Sequence, residues 1–253
     1  MFAFGAGKLI AVPQFDSQGT LIANPTPVLL GAMQDVSLDI SVDLKMLYAA
    51  KRFPIAVGQG KGKIELKAKY ADINGGVIGS LFYGKLPTAG IKGLVSDFAA
   101  SVPAASTYTI TVAPPSAGTF VSDAGVWDAA TGVQLTRVAS APATGQYSVS
   151  VAGVYTFALA DASRAVLLNY EYSAVSTTAQ TFNLTNDLMG FTPSFSILMR
   201  QQTPDGKTLT VKFNRAVSGK LALPFKSDDF TVSDFEASVF ADNADNIGWM
   251  CLQ

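Results

Sequence analysis

The chain has no histidine, and its one cysteine, Cys251, lies near the C-terminus. Without imidazole there is no Ser-His-Asp or Cys-His relay, and the commonest metal ligand is missing. A lone thiol makes neither an intrachain disulfide nor a thiolate metal site, so nothing demands an oxidising compartment. Charge is scarce as well. Asp, Glu, Lys and Arg make up 15% of the chain and sum to a net charge of -1, where a soluble domain carries about 25% charged residues. That balance excludes the clustered cations of a tight nucleic-acid binder. Long hydrophobic runs are also absent. The apolar stretch from Met1 to Val12 is interrupted by Lys8 and has no basic region before it, which suits neither a secretory signal nor a membrane span. A soluble protein made in the cytoplasm is expected, with no membrane partner. The sequon Asn183-Leu184-Thr185 is then expected to carry no glycan.

What the chain has in excess is apolar character. Apolar residues reach 49% before its 22 glycines are counted. With so few charges, a monomer leaves much apolar surface in water unless neighbours cover it. The composition points to a subunit that buries its surface against copies of itself. At 253 residues the chain is long enough for one large domain or two modest ones.

Alternation organises the sequence. From Gln34 to Asp43, Val36, Leu38, Ile40 and Val42 alternate with Asp35, Ser37, Asp39, Ser41 and Asp43. This predicts a strand with one wet face and one core face, Ile40 included in the core. Lys63 to Tyr70 repeats the pattern, with Ile64, Leu66, Ala68 and Tyr70 opposite Lys63, Glu65, Lys67 and Lys69. An acidic strand face beside a basic one predicts that the two strands pair. Leu44 to Gly62, with Phe53-Pro54 and the glycine-rich GQGKG, reads as a loop. Asn74 to Gly84 reads as an amphipathic α-helix with Asn74 as N-cap and Gly84 as stop, weakened by Gly75, Gly76 and Gly79.

Residues 103–175 differ in composition, with six charged residues against 17 in residues 1–102. Short alternating runs separated by turn-forming clusters predict a small inserted β-domain there, outward-facing, with 1–102 and 176–253 forming the main core. In the last segment, Phe191 to Gln202 and Lys207 to Phe213 read as a hairpin across Asp205-Gly206. Leu221 to Phe225 and Asp229 to Phe240 read as further strands. A change of apolar parity in the latter predicts a bulge near Ser233 or Asp234. The predicted fold is mainly β: an antiparallel sandwich or barrel with one packed α-helix and a small inserted β-domain.

Chemistry is sparse. Gly62-Lys63 is preceded by Val57 and followed by Ile64, where a phosphate-binding loop needs Gly and Ser or Thr, and it leads into a strand. Asp35, Asp39 and Asp43 share a strand face, which reads as solvated rather than as a glycosidase pair. The lysines at 61, 63, 67 and 69 lack the interleaved aromatics of a single-strand groove. No catalytic, cofactor or metal site is predicted, and the protein is not expected to be an enzyme.

Three stretches together resemble the tail tube (major tail) proteins of tailed bacteriophages: LGAMQDVSLDISVDLKMLYAAKRFPIAVGQGKGKIELKAKYADINGGVIGSLFYG, LTNDLMGFTPSFSIL, and KLALPFKSDDFTVSDFEASVFADNADNIG. They cover residues 30–84, 184–198 and 220–248. The resemblance implies a virion structural protein of the tail, assembled in the host cytoplasm. Subunits would form six-fold rings that stack into a hollow tube for the genome, without cofactors. Implied partners are other copies of the chain, the tail initiator, terminator and tape measure, a sheath if the tail contracts, and DNA in passage. If the alternating strands line the channel, Asp35, Asp39, Asp43 and Glu65 are candidates for an acidic wall that repels phosphate. Lys63, Lys67 and Lys69 fit that wall poorly unless acidic neighbours neutralise them. The middle segment resembles an accessory β-module of phage structural proteins. The alternative reading is a carbohydrate-binding or adhesin-like β-module whose insertion recognises its target through Trp127, Tyr147, Tyr155, Tyr170 and Tyr172. Alternation around Tyr147, Tyr155 and Phe157 favours core packing for those three.

Overall fold

Alternating sequence becomes extended backbone along most of the chain. The computed structural model describes residues 7–31, 33–50, 52–72, 75–203, 205–225, 227, 228 and 230–253. The strands before the first interruption are β1 (Lys8–Phe15), β2 (Val28–Leu30), β3 (Met33–Tyr48) and β4 (Pro54–Tyr70). Then come β5 (Thr88–Ala89), β6 (Ile91–Ser101), β7 (Thr109–Thr111), β8 (Thr119–Asp128), β9 (Thr136–Arg137), β10 (Gln146–Val149), β11 (Val154–Phe157), β12 (Ala165–Ala174) and β13 (Gln180–Thr181). The last four are β14 (Ser194–Gln202), β15 (Thr208–Ala222), β16 (Ser233–Phe240) and β17 (Gly248–Leu252).

The chain divides into two compact units, Met1–Pro87 with Phe182–Gln253, and Thr88–Thr181. The boundaries therefore fall outside the expected 103 and 175. The reason is pairing: β6 retains the charges Lys92 and Asp97, so composition groups it with the flanks. It nevertheless pairs antiparallel with β12 from Ile91↔Ala174 to Ser101↔Ala165.

In the first unit the strands form one antiparallel sheet in the order β2-β1-β14-β15-β16-β4-β3. β16 and β17 lie end to end along one edge of β15, at Arg215–Ala222 and Leu209–Phe213 respectively. The sheet is open at β2 and β3, so the barrel among the expected forms is not closed. Its core gathers Leu9, Leu30, Leu66, Tyr70, Phe195, Ile197, Val211 and Phe235, with Val36 and Leu38 of β3 packed against them.

The helix is shorter than expected and of another kind. Val77–Phe82 is a π-helical segment, ending with Tyr83 N–H donating to the Ile78 carbonyl at 3.3 Å. Val77 and Leu81 are fully buried, so packing holds what three glycines weaken. Gly79 is needed for contact, because a Cβ there runs into the Phe182 ring. Gly84 has φ +62° and stops the segment, the left-handed conformation that glycine adopts without strain. The expected N-cap, Asn74, lies outside the described residues.

Two strand predictions are also corrected. The expected loop 44–62 is strand for most of its length, because β3 runs on to Tyr48 and β4 starts at Pro54. Gly58 and Gly62 sit in the ladder opposite Lys45 and Val42, so these glycines are strand residues. The predicted bulge near Ser233 is absent. β16 begins at Ser233 and pairs with β4 without interruption, which accounts for the parity change. The irregularity lies on the partner instead, between Ser218 and Lys220 of β15.

The second unit has two small sheets, β7-β11-β10-β9 and β6-β12-β8, around a core of Val126, Tyr147, Tyr155, Phe157, Leu168 and Tyr170. A short ribbon, β5 with β13, pairs Thr88 with Thr181 where the chain enters and leaves. Among the described residues no helix is long and apolar enough to cross a membrane.

Candidate assembly surface

The inner halves of β3 and β4 belong to the core, but their outer halves do not. β3 and β4 stay paired from Met33↔Tyr70 to Tyr48↔Pro54, while burial ends near Leu38 and Ile64. Beyond that point the hairpin continues as an arm. Nine strand residues from Ile40 to Tyr48 extend roughly 30 Å at about 3.3 Å per residue. Ile40, Val42, Leu44, Met46 and Tyr48 alternate onto one face of the arm, joined from β4 by Val57. These side chains are exposed, Ile40 by 56% and Met46 by 49%. Ile40 is therefore not the core residue that alternation predicts. The turn adds Phe53, 76% exposed. A two-stranded hairpin is marginal alone in water, and this one leaves its apolar face uncovered.

The opposite face is polar up to Lys45, with Leu47 exposed near the tip, and it continues down to the sheet. Asp35 pairs with Lys69, which pairs with Asp234; Ser37 pairs with Lys67, which pairs with Glu236. Asp39 faces Glu65, and Ser41 faces Lys63. Lys63 Nζ lies 2.7 Å from Glu65 Oε1, and Lys220 Nζ lies 3.2 Å from Glu236 Oε1. The hydrogen bond from Lys63 lowers the Glu65 pKa and raises that of Lys63 itself. Asp35, Asp39, Asp43 and Glu65 thus share one wet face with the lysines, a face of mixed charge. Sequence reasoning placed both sets on wet faces. It missed Asp234 and Glu236, which complete the stripes, because their strand register depends on where β16 begins. Among the described residues β3 pairs only with β4, so its outer edge is unpaired there.

In the second unit the polar groups serve the fold. The enclosed Asp123 carboxylate accepts hydrogen bonds from the Tyr147 hydroxyl at 2.7 Å and the Tyr155 hydroxyl at 3.0 Å. Arg137 lies 3.7 Å away. Burial, then Asp123, pushes both phenols well above the usual tyrosine range. Arg164 bridges Asp128 at 2.8 Å and Asp161 at 2.7 Å, and Asp128 also accepts from the Ala130 and Thr131 N–H groups. Those backbone bonds hold the Asp128 carboxyl below the usual range. Among the described residues no group of three or more acidic, His or Cys residues is arranged to hold a metal ion.

No known family model matches the chain, and no curated protein is similar to it at a significant level.

Proposed function

We propose that this protein is a tail tube subunit that assembles into stacked rings around a channel for DNA. The β3–β4 arm carries this reading. It exposes an apolar face that its own chain does not cover, opposite a hydrated face. Burying such a face against another copy contributes about 25 cal/mol for each Å² removed from water. The free edge of β3 offers a second, main-chain route to pairing between copies. In this reading the striped face of β3, β4 and β16 lines the bore. Lys63, Lys67 and Lys69 each have an acidic neighbour there, so passing phosphates meet no continuous basic track on which counterion release would hold them. The wall is one of mixed charge rather than the acidic band expected from β3 alone.

The carbohydrate-binding alternative needs exposed aromatics in the second unit, and Tyr147, Tyr155 and Tyr170 are buried there. Sedimentation velocity over a range of protein concentrations tests the main reading. Wild type should form large assemblies, and Met46→Asp should give a folded monomer. A Met46→Asp protein that assembles like wild type removes the arm from the account.

A further inference from the structure

The middle of β15 and the loop after its end carry complementary surfaces that cannot meet within one chain. Beside Lys212–Arg215 is a cleft of about 540 Å³, lined by Phe15, Leu21, Lys212 and Arg215 and by the loop at Asp242. The Arg215 guanidinium sits 4.6 Å from the centre of the Phe15 ring and 5.6 Å from that of Phe240. Its Nη1 donates to Asn243 Oδ1 at 2.9 Å. Among the described lining residues the one carboxylate, Asp242, is already engaged by the Ala244 and Asn246 N–H groups and by Asn214. Lys212 has no acidic partner within 4.0 Å among the described residues. Gln14, also in the lining, has a shielded Oε1 without a hydrogen-bond partner. The cleft is therefore cationic, aromatic at its wall, and short of one donor.

The loop after the end of β15 has the converse character. Phe225 and Phe230 are 79% and 84% exposed; between them the sequence runs Lys226, Ser227, Asp228 and Asp229, net negative, with Ser227 and Asp228 exposed. Asp228 supplies the carboxylate, Ser227 a hydroxyl donor and the two rings the apolar contact. Arg215, the cleft residue nearest the end of β15, precedes Ala222, the last residue of that strand, by seven positions, about 23 Å of strand. None of the ten residues between Ala222 and Ser233 is more than about five positions from a strand end, or roughly 17 Å at full extension. A chain cannot fill its own cleft with its own loop.

We propose that Phe225, Asp228 and Phe230 of one copy dock in the Lys212–Arg215 cleft of a second copy. This rests on the self-assembly reading and names one of its contacts. The contact joins unlike surfaces, and head-to-tail association of that kind closes into a ring or runs on as a filament. Lys212→Glu and Asp228→Lys should each raise the protein concentration needed for assembly by at least about tenfold, the scale of a close interfacial charge pair. The double variant should recover most of the loss. Circular dichroism melts close to wild type confirm that the variants fold. If wild type assembles and Lys212→Glu assembles equally well, or the double variant is no better than either single, the contact is overturned and the self-assembly reading stands. If wild type stays monomeric throughout, the reading itself fails.

Discussion

At the level of single residues, surroundings decide what alternation alone does not. Val36, Leu38, Ile40 and Val42 follow one rhythm, yet the first two pack on the core and the last two face solvent. Substitution at Ile40 should therefore behave as a surface change in the isolated subunit. Ile40→Lys is expected to shift stability by no more than about 0.5 kcal/mol while abolishing assembly, read from thermal melts beside sedimentation. A large loss of melting temperature would return Ile40 to the core. The buried phenols make a separate prediction. Folding raises the pKa of Tyr147 and Tyr155 above the free value, so their contribution is complete below about pH 10 and is lost as pH rises past that point. Asp128 works the other way. Its lowered pKa adds stability above about pH 4, lost as pH falls through the folded value. Melts of the second unit's near-UV signal between pH 2 and 12 should show both declines. Tyr147→Phe with Tyr155→Phe should remove most of the alkaline one.

At the level of elements, the strands announced themselves and their ends did not. The β3–β4 pairing, the wet face with Asp39 and Glu65, and the turn at Gly206 follow from period two and turn chemistry. Glycine and proline misled at 54–62, because three glycines in a ladder look like a loop when the partner strand is unknown. Likewise β6 reads as part of the flanks until its hydrogen bonds to β12 are known, since composition says nothing of partners. The helical segment shows the same limit: an apolar stripe is visible in sequence, whereas the demand for Gly79 comes from Phe182, over a hundred residues away. Gly79→Ala should cost about 1–3 kcal/mol by overpacking. Adding Phe182→Ala should remove the clash, leaving the double variant limited by the lost ring; no interaction between the two changes in a double-mutant cycle would contradict the contact. The Thr88↔Thr181 pairing brings the second unit's two ends together. A short Gly-Ser linker joining residues 87 and 182 should thus leave the first unit folded, with a melt close to its transition in the full chain.

At the level of the whole molecule, low charge, an uncovered arm and an open sheet edge all concern surfaces that one copy leaves unsatisfied. The candidate bore residues were legible in sequence as a set, because alternation fixes which side chains share a face. Their mixed sign was not, since it comes from three strands brought side by side across more than 160 residues of sequence. The central claim is assembly into a hollow tube, and electron microscopy of the concentrated, purified protein tests it most directly. The account predicts rings and stacked tubes with a central bore, lost in Met46→Asp while the subunit stays folded. Dispersed monomers at every concentration and salt, with tail initiator added as well, would contradict it.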